Sequence, residues 1–387
     1  MPVLERYLDN VELNSLGMAR TQVTRFEGEL DPDALAAAYN DVCARYPLLR
    51  AHVKPGDSGR LLSASPGIIP RVRIWDGDET TLRREISRPW DVTRALAELV
   101  LVRGRESFLA LRTDIGVVDG RGWIAVYQEL WRSYTTAVKG ETLTIEGSGS
   151  LPMSPTAAAS RWGAPPAATH PSSGWVPIIQ FDDELDRLET QQLLAAARAH
   201  GVSLHGLVAG VTLVVHRGFG DVTTGPASMA CMSAVDLRNR VTPPLGTTEV
   251  MKFVAFHLAQ VEVTPESNPY QLGRDLKNSL DLAIADGRIP LDHPSLQIDT
   301  PLEPRLAEVA VSNVGVVDDI DHPPGVRITG WSRIITENRA YTLYGVYTFR
   351  GRLHVISAYP ATLFSRSEVH ALTSAVTQRL RELARDG

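Results

Sequence analysis

The segment from Gly147 to Gly174 constrains the fold more than any other feature, because its composition leaves little to bury. It contains five prolines among small residues and serines, in the run GSGSLPMSPTAAASRWGAPPAATHPSSG. This composition is typical of an exposed connection between two folded parts. The sequence therefore predicts an N-terminal lobe over residues 1–150, a linker over 151–177 and a C-terminal lobe over 178–387.

The bulk properties exclude several classes of function. The 387 residues suffice for two domains with sizeable cores. A formal charge of −6 argues against a nucleic-acid partner, which usually requires a basic surface. No window approaches the 18 uninterrupted apolar residues of a membrane span, and the N-terminus MPVLERYLDN is too charged for a signal peptide. Cys43 and Cys231 match no metal or redox spacing. We therefore expect a cytoplasmic protein without a membrane span.

Three patterns in the first part predict a helix, a hairpin and a second helix. In DPDALAAAYNDVCARYP, Leu35, Tyr39 and Val42 fall on one helical face, and Pro47 ends the pattern. The runs AELVLVRG and SFLALRTD predict two strands that turn near Gly104. WIAVYQELWRSYTTAVKG then has the spacing of a helix with one buried face.

The second part also mixes helices with strands. DDELDRLETQQLLAAARAHG and SLHGLVAGVTLVVHRG predict two helices, and RAYTLYGVYTFRGRLHVISAYP predicts two strands that turn at Arg350 and Gly351. Ser365 and Glu368 have the spacing of a capping box before a last helix. Because neither part alternates strictly between strand and helix, we expect an α/β fold in which a two-layer sandwich is built twice.

Several stretches, taken in order, resemble the condensation-domain superfamily, whose members share a chloramphenicol-acetyltransferase-like fold. They include LDPDALAAAYNDVCARYPLLRAHV, SRPWDVTRALAELVLV, VSLHGLVAGVTLVV, SAVDLRNRVTPPLG, AVSNVGVV and AYPATLFSRSEV. The resemblance is greatest to the stand-alone polyketide-associated acyltransferases of the phthiocerol dimycocerosyl transferase type. It implies two α/β sandwich lobes that form a V around a central tunnel.

The motif of this superfamily is two histidines, three residues and Asp-Gly, placed after a strand at the junction of the lobes. In LRTDIGVVDGRGW, Asp114 and Ile115 stand at the histidine positions, and Asp119 and Gly120 stand at the last two. The resemblance implies that the second histidine would activate the acceptor, while a pantetheine thioester enters from the opposite mouth. It also implies that the motif's Asp is architectural and pairs with an arginine of the other lobe. Arg238 is the candidate partner, although a surface arginine is an equal interpretation.

Replacing the histidine removes general base assistance, which is worth ~10²–10⁴ in rate. Isoleucine accepts no proton, so Ile115 and the adjacent Gly116 are predicted to form a dry, substrate-binding wall. Asp114 is a candidate replacement base. An ordinary aspartate is a weak base for a hydroxyl, however, and neighbouring residues of an extended segment point to opposite sides. The interpretation of Asp114 as a turn residue that binds backbone amides is therefore favoured.

Three further residues are candidates for the site. His257, within the apolar run VMKFVAFHLAQVEV, is a candidate displaced base, although a histidine on such a strand is more often part of the core. The resemblance places the strand of SNVG beside the thioester carbonyl, where Ser312 or Asn313 would donate a hydrogen bond. A polar pair at a strand edge is the alternative interpretation. No metal spacing, phosphate loop or nucleophile elbow occurs, so we expect no cofactor.

These observations leave two classes of function open. The first is a non-standard enzyme of polyketide or peptide metabolism that acts on an acyl or polyketide-derived substrate in the tunnel. It would perform either cyclisation or rearrangement, or acyl transfer from a carrier-protein or CoA thioester with a substituted base. The second is a non-catalytic platform that docks a carrier protein or a tailoring enzyme. An open apolar tunnel with convergent polar groups would favour the enzyme, and a blocked tunnel would favour the platform.

Overall fold

A computed structural model gives the architecture of most of the chain. The described residues are 3–66, 72–141, 149–161, 176–220, 225–246, 249–287, 289, 291, 306, 308–338 and 341–386. Residues 162–175 of the predicted linker lie outside the described residues.

The N-terminal half combines short strands with helices that begin at polar capping residues. Asp31 and Asp119 each accept hydrogen bonds from the backbone of the helix that follows. In chain order the elements of this half are β1 (Leu4–Tyr7), α1 (Asn10–Leu13), β2 (Ala19–Glu27), α2 (Pro32–Arg45), β3 (Ala51–Gly56), β4 (Gly59–Ala64), β5 (Val72–Asp76), α3 (Glu79–Ile86), β6 (Ala97–Arg103), β7 (Ser107–Asp114), α4 (Gly120–Val138) and α5 (Pro155–Ala159).

The C-terminal half has longer strands and ends on a long helix. The predicted capping box is present: the Ser365 amide donates to the Glu368 carboxylate at 2.7 Å, and the Glu368 amide donates to Ser365 Oγ at 3.3 Å. The elements of this half are β8 (Val176–Leu185), α6 (Arg187–Ala199), α7 (Leu204–Phe219), β9 (Ala227–Asp236), β10 (Val254–Val263), α8 (Pro269–Ala285), β11 (Glu308–Val317), β12 (Arg327–Ile335), β13 (Glu337–Asn338), β14 (Thr342–Phe349), β15 (Arg352–Pro360) and α9 (Arg366–Asp386).

The strands form three sheets. The largest has the order β10-β9-β11-β14-β15-β8-β13, the second has the order β12-β2-β7-β6-β5, and the smallest has the order β1-β4-β3. Both predicted hairpins are confirmed, since β6 pairs with β7 and β14 pairs with β15, each antiparallel. In the second hairpin Arg350 and Gly351 have φ angles of 49° and 77°, as expected for a tight turn that matches the twist of the strands.

One strand crosses from the C-terminal half into the N-terminal sheet. Strand β12 pairs antiparallel with β2, with Ile335 opposite Arg20 and Arg333 opposite Gln22. The predicted division into 1–150 and 178–387 does not include this exchange, because strand pairing between distant segments leaves no local pattern. The exchange brings side chains from both halves of the sequence onto one sheet face.

Each large sheet carries its own layer of helices, as the predicted two-layer sandwiches require. On α4, Tyr127 donates to the carbonyl of Leu109 at 2.6 Å and accepts from the amide of Thr24 at 2.9 Å, which fixes this helix against strands β7 and β2. Helices α6, α7, α8 and α9 supply buried residues to a second core with the seven-stranded sheet. The predicted α/β fold class is therefore confirmed.

The start of the predicted linker is packed against the protein rather than extended in solvent. Ala158 and Ala159 of α5 are buried in a cluster with residues of the C-terminal half. The Thr156 amide donates to Asp9 at 2.8 Å. Alanines close-pack where longer side chains would not, so a composition typical of linkers forms a short docked helix here.

No single helix among the described residues is long and apolar enough to cross a membrane. Helices α6 and α7 reach that length and composition only when counted together, and they meet at an angle of 95°.

Candidate functional site

A cleft lies where side chains of the two large sheets face each other. It holds about 1080 Å³ of empty space, part of it open to solvent. Strands β2 and β12 contribute residues from the five-stranded sheet, and β9, β10, β11 and β14 contribute residues from the seven-stranded sheet. The loop after β7 and the start of α4 close one side. The residues of the predicted motif therefore lie at the junction of the two sheets.

The wall of the cleft is mainly apolar. The apolar residues that line it are Met18, Ile115, Val118, Trp123, Met232, Ala234, Val254, Phe256, Ala310, Val311, Ile335 and Leu343. Such a wall favours a substrate with a hydrocarbon body, and a few polar groups then fix its orientation.

Ile115 faces this cleft, at the first residue after β7. Its amide donates to the carbonyl of Met18 at 2.9 Å, which fixes the backbone at the entrance to the motif. Its hydrocarbon side chain lines the space where the resemblance would place a histidine. Among the described lining residues there is no imidazole.

Asp114 is buried beside the cleft wall and is held by three donors. The amides of Gly17 and Gly116 each donate to its carboxylate at 2.8 Å, and Trp90 Nε1 donates at 2.9 Å. Burial raises the pKa of Asp114 to about 7, and the three hydrogen bonds oppose this rise. Asp114 is not among the lining residues, so the geometry favours the turn interpretation over the replacement base.

Gly116 also lies behind the wall rather than in it. A Cβ on this glycine would stand 2.8 Å from the carbonyl oxygen of Glu12 and 2.9 Å from Cα of Leu16. The predicted contact between Gly116 and substrate therefore has no support in the geometry. The glycine is required here because helix α1 and the residues that follow it approach the backbone closely.

Asp119 and Arg238 form a buried ion pair that joins the two halves. The guanidinium donates twice to the carboxylate, at 2.7 and 3.1 Å. The Phe253 amide donates a further hydrogen bond at 2.7 Å, and two amides at the start of α4 complete the set. Asp119 therefore caps a helix of one half while it binds two groups of the other. Gly120, the next residue, lines the cleft.

His257 lies on the opposite face of its strand from the cleft. Val254 and Phe256 line the cleft, and because strand side chains alternate, His257 points away. Its Nε2 lies 2.9 Å from Ser279 Oγ on α8, and burial lowers its pKa. The geometry therefore does not support His257 as a displaced base and favours the alternative, a strand residue packed against α8.

Ser312 and Asn313, which the sequence analysis treated together, occupy different environments. Ser312 lines the cleft. Asn313 turns the other way and accepts from the Gly315 amide at 2.8 Å, at an irregularity in the pairing of β11 with β14. Of this pair, Ser312 is the residue placed to contact a ligand.

Three cationic side chains line the cleft, and the sequence analysis did not identify them. They are Arg20 on β2, Lys252 just before β10, and Arg333 on β12. Lys252 donates to the carbonyl of Val11 at 2.7 Å and to Ser15 Oγ at 2.6 Å. Lys252 interrupts the apolar stretch VMKFVAF and Arg333 stands beside two isoleucines in GWSRII, and such charges next to apolar strand residues were the available signal.

The cleft therefore carries a net positive charge among its described lining residues. Asp119 is the carboxylate among the described lining residues, and its charge is already neutralised by Arg238. The cations of the cleft face mainly apolar walls, where charge interactions are stronger than in water. Such an arrangement of cations is suited to bind negative charge and to stabilise charge that develops on oxygen. Within the described lining it offers neither an imidazole nor a free carboxylate to remove a proton.

Comparison with family models and curated proteins finds similarity to one group of acyltransferases. Residues 182–357 match the family described as the phthiocerol/phthiodiolone dimycocerosyl transferase C-terminus. Phthiocerol/phthiodiolone dimycocerosyl transferases of Mycobacterium bovis and Mycobacterium tuberculosis are 24% identical over 298 residues, which cover 68% of this chain and 69% of theirs.

Solved structures with the same fold align over nearly the whole chain. Polyketide synthase associated protein 5 from Mycobacterium tuberculosis aligns with a TM-score of 0.82 and 19% identity, covering 98% of this chain and 97% of its own. The first condensation domain of the calcium-dependent antibiotic synthetase gives 0.74 and 16%, covering 98% and 96%. A trichothecene 15-O-acetyltransferase from Fusarium sporotrichioides gives 0.72 and 10%, covering 99% and 95%.

These comparisons agree with the resemblance that the sequence motifs carry. The structures establish the fold, and the matches in sequence extend over the C-terminal half and beyond it. The predicted fold is thereby confirmed: the chain has the chloramphenicol-acetyltransferase-like fold of the condensation domains, and in sequence it is similar to the phthiocerol/phthiodiolone dimycocerosyl transferases.

Proposed function

We propose that this protein is a condensation- or acyltransferase-like enzyme of polyketide or peptide metabolism that works without a catalytic histidine. Its substrate is an acyl or polyketide-derived molecule bound in the cleft between the sheets. One observation carries the proposal: Ile115 faces the cleft where the resemblance expects the histidine base, and the described lining residues include no histidine.

Loss of the base favours a reaction that needs little proton transfer. General base assistance is worth ~10²–10⁴ in rate, whereas holding reacting groups together can supply ~7–11 kcal/mol. A dry cleft that holds a single substrate molecule in a folded conformation keeps the contribution from proximity, although it lacks general base assistance. We therefore favour cyclisation or rearrangement of a bound chain, with the cations stabilising negative charge on oxygen.

Acyl transfer from a carrier-protein or CoA thioester is the second candidate. The observation that favours it is the similarity in sequence to proteins named as dimycocerosyl transferases. In this case the acceptor hydroxyl would lose its proton to solvent or to the leaving thiolate, since Ile115 cannot take it. The open cleft disfavours the third alternative, a docking platform without catalysis.

The test is incubation with a panel of acyl-pantetheine thioesters and candidate polyketide intermediates, with two separate readouts. Thiol release is followed by a thiol-reactive dye, and isomerisation is followed by chromatography at constant mass. The proposal expects a product of unchanged mass without thiol release. Thiol release with ester formation would select the transferase, and neither product, with tight binding of a carrier protein, would select the platform.

A further inference from the structure

Arg333 is a cation of the cleft that forms no ion pair with any described residue. Its guanidinium lies over the ring of Tyr347, 5.6 Å from the centroid. The hydroxyl of that tyrosine donates to the carbonyl of Trp331 at 3.0 Å, so the ring itself is fixed. The residue is half-buried, yet its Nε is enclosed and has no hydrogen-bond partner.

The neighbouring strand leaves room for this guanidinium. Gly345 of β14 lines the cleft, and a Cβ on it would stand 2.7 Å from Nη2 of Arg333. Any other residue at this position would have to displace the charged group. A glycine in the middle of a strand weakens the strand, and it often marks a place where another group must approach closely.

The acidic groups that face Arg333 are engaged elsewhere. Asp119, on the same cleft, is bound by both terminal nitrogens of Arg238. Asp182 faces the hydroxyl of the supporting tyrosine at 3.4 Å. Within the described part of the chain neither carboxylate forms an ion pair with Arg333, and Arg20 adds positive charge beside it. Asp182 acts on the charge of Arg333 only at longer range, and among the described residues Arg333 has no ion-pair partner.

We infer that Arg333 is the binding residue for a carboxylate on the substrate, with Arg20 reinforcing the positive field. This inference rests on the proposed function and names the substrate class: an apolar acyl or polyketide-derived chain that bears a free carboxylate. The guanidinium presents a planar fork that matches the two oxygens of a carboxylate. The apolar wall of the cleft receives the chain, and the carboxylate supplies the missing partner.

The energetic reason is that an uncompensated charge in an apolar site is costly until a partner arrives. Burial disfavours the charged guanidinium, and proteins normally pair such groups. Here the Arg333 guanidinium instead packs on the ring of Tyr347, and Gly345 leaves room for it. Its charge therefore stays available to a ligand. Binding of a carboxylate then recovers interactions that the free protein lacks.

The test compares octanoate with 1-octanol, which share a chain and differ in charge, by isothermal titration calorimetry. We expect the wild-type protein to bind octanoate more tightly than octanol. Arg333→Met keeps the hydrocarbon stem and removes the charge, so we expect a roughly 10–100-fold loss for octanoate with little change for octanol. Arg333→Lys keeps the charge without the fork and should bind octanoate with intermediate affinity.

The matched control is Arg327→Met, which makes the same change on the same strand outside the cleft. Arg327 is exposed and pairs with Glu27 at 2.5 Å, so this variant should bind octanoate as the wild type does. Equal octanoate affinity in the wild type and Arg333→Met, or an equal loss for octanoate and octanol, would overturn the inference. If Arg333→Met does not fold, the comparison of Arg333→Lys with the wild type decides.

The outcomes for the two proposals are separable. Octanoate binding is an equilibrium measurement on a molecule that is not turned over. Product formation without any preference for carboxylate would refute only the carboxylate site. A clear preference for carboxylate, without any product from the panel, would refute only the proposed reaction.

Discussion

Two arginines of the same region differ in what surrounds their charge. Arg238 is almost completely buried and donates twice to Asp119, at 2.7 and 3.1 Å. Arg333 faces the cleft, rests on an aromatic ring, and has an enclosed Nε without a partner. Burial lowers the pKa of Arg333 to about 10, while Tyr347 and Asp182 oppose this shift and Arg20 adds to it.

The difference separates architecture from binding. A buried charge that is fully paired within the protein holds two segments together, and its loss leaves the partner uncompensated. A charge that is held in position by packing, without an ion-pair partner, contributes little to the stability of the fold and is available to a ligand. Arg238 therefore belongs to the junction of the halves, and Arg333 belongs to the site.

The largest effect on stability is expected from breaking the ion pair of Asp119 and Arg238. Asp119→Asn removes the charge that compensates Arg238 and one of the two acceptor oxygens. We expect a loss of about 3–5 kcal/mol in the free energy of unfolding, measured by urea denaturation. Asp319→Asn, which breaks an exposed pair with Arg350, should cost less than about 1 kcal/mol. Equal losses in the two variants would contradict the structural role of Asp119.

A pH-dependent effect is expected at Asp114. Burial raises its pKa in the folded protein from 3.8 to about 7, so between these values the folded state keeps a proton that the unfolded state has lost. The stabilising contribution of this group is full below pH 4 and is lost as the pH rises through 7. At ~1.4 kcal/mol per pKa unit, the total is on the order of a few kcal/mol.

The measurement is urea denaturation of the wild type and Asp114→Asn from pH 4 to pH 8. Asparagine does not titrate, so the stability of the wild type relative to the variant should decrease as the pH rises. A constant difference across this range would mean that Asp114 keeps the same protonation state when the protein unfolds. An increasing difference would mean that its pKa is lowered, and the sign assigned here would be wrong.

A smaller effect, on ligand affinity, is expected from a change beside Arg333, the arginine without an ion-pair partner. Gly345→Ala places a methyl group 2.7 Å from the guanidinium of Arg333 and should displace it. We expect octanoate affinity to fall about tenfold, the value of one charge-assisted hydrogen bond, as measured by calorimetry. Gly218→Ala is the control, since a Cβ there meets nothing within 4 Å. Unchanged octanoate affinity in Gly345→Ala would show that the space at this glycine is not used by Arg333.

The smallest effect on stability is expected from Ile115→His. The residue faces an open cleft, so an imidazole has room, and the free energy of unfolding should change by less than about 1 kcal/mol. Thermal unfolding of this variant beside the wild type checks the expectation. A large loss of stability would mean that Ile115 lies in a tightly packed core and that the motif has been aligned incorrectly.

The sequence predicted the local elements well, because each has a local cause. The apolar stripe of α2, the hairpin of β6 and β7, and the capping box of Ser365 and Glu368 follow from residues close in sequence. The orientation of His257 toward α8 and the pairing of β12 with β2 depend on contacts between distant parts of the sequence. A lone charge in an apolar strand, such as Arg333, was visible in the sequence. Its meaning depended on which side chains stood opposite it.

The ion pair of Asp119 and Arg238 also depends on a contact between distant residues that the sequence alone does not establish. The resemblance named both residues, but the residues alone left a surface arginine as an equal interpretation. Only the folded chain brings them together, across 119 positions of sequence. Apart from Ile115 and Ser312, the wall residues of the cleft were equally hidden, because they come from several strands of two sheets.

The most direct test of the account is the free energy of unfolding of Arg238→Met and Arg333→Met, measured side by side without ligand. Arg238→Met leaves a carboxylate buried without its cation and should lose about 3–5 kcal/mol. Arg333→Met removes a charge that no described residue pairs, so its stability should be equal to that of the wild type or higher. A comparable loss in both variants would contradict the account, because it would show that Arg333 also has a partner within the fold.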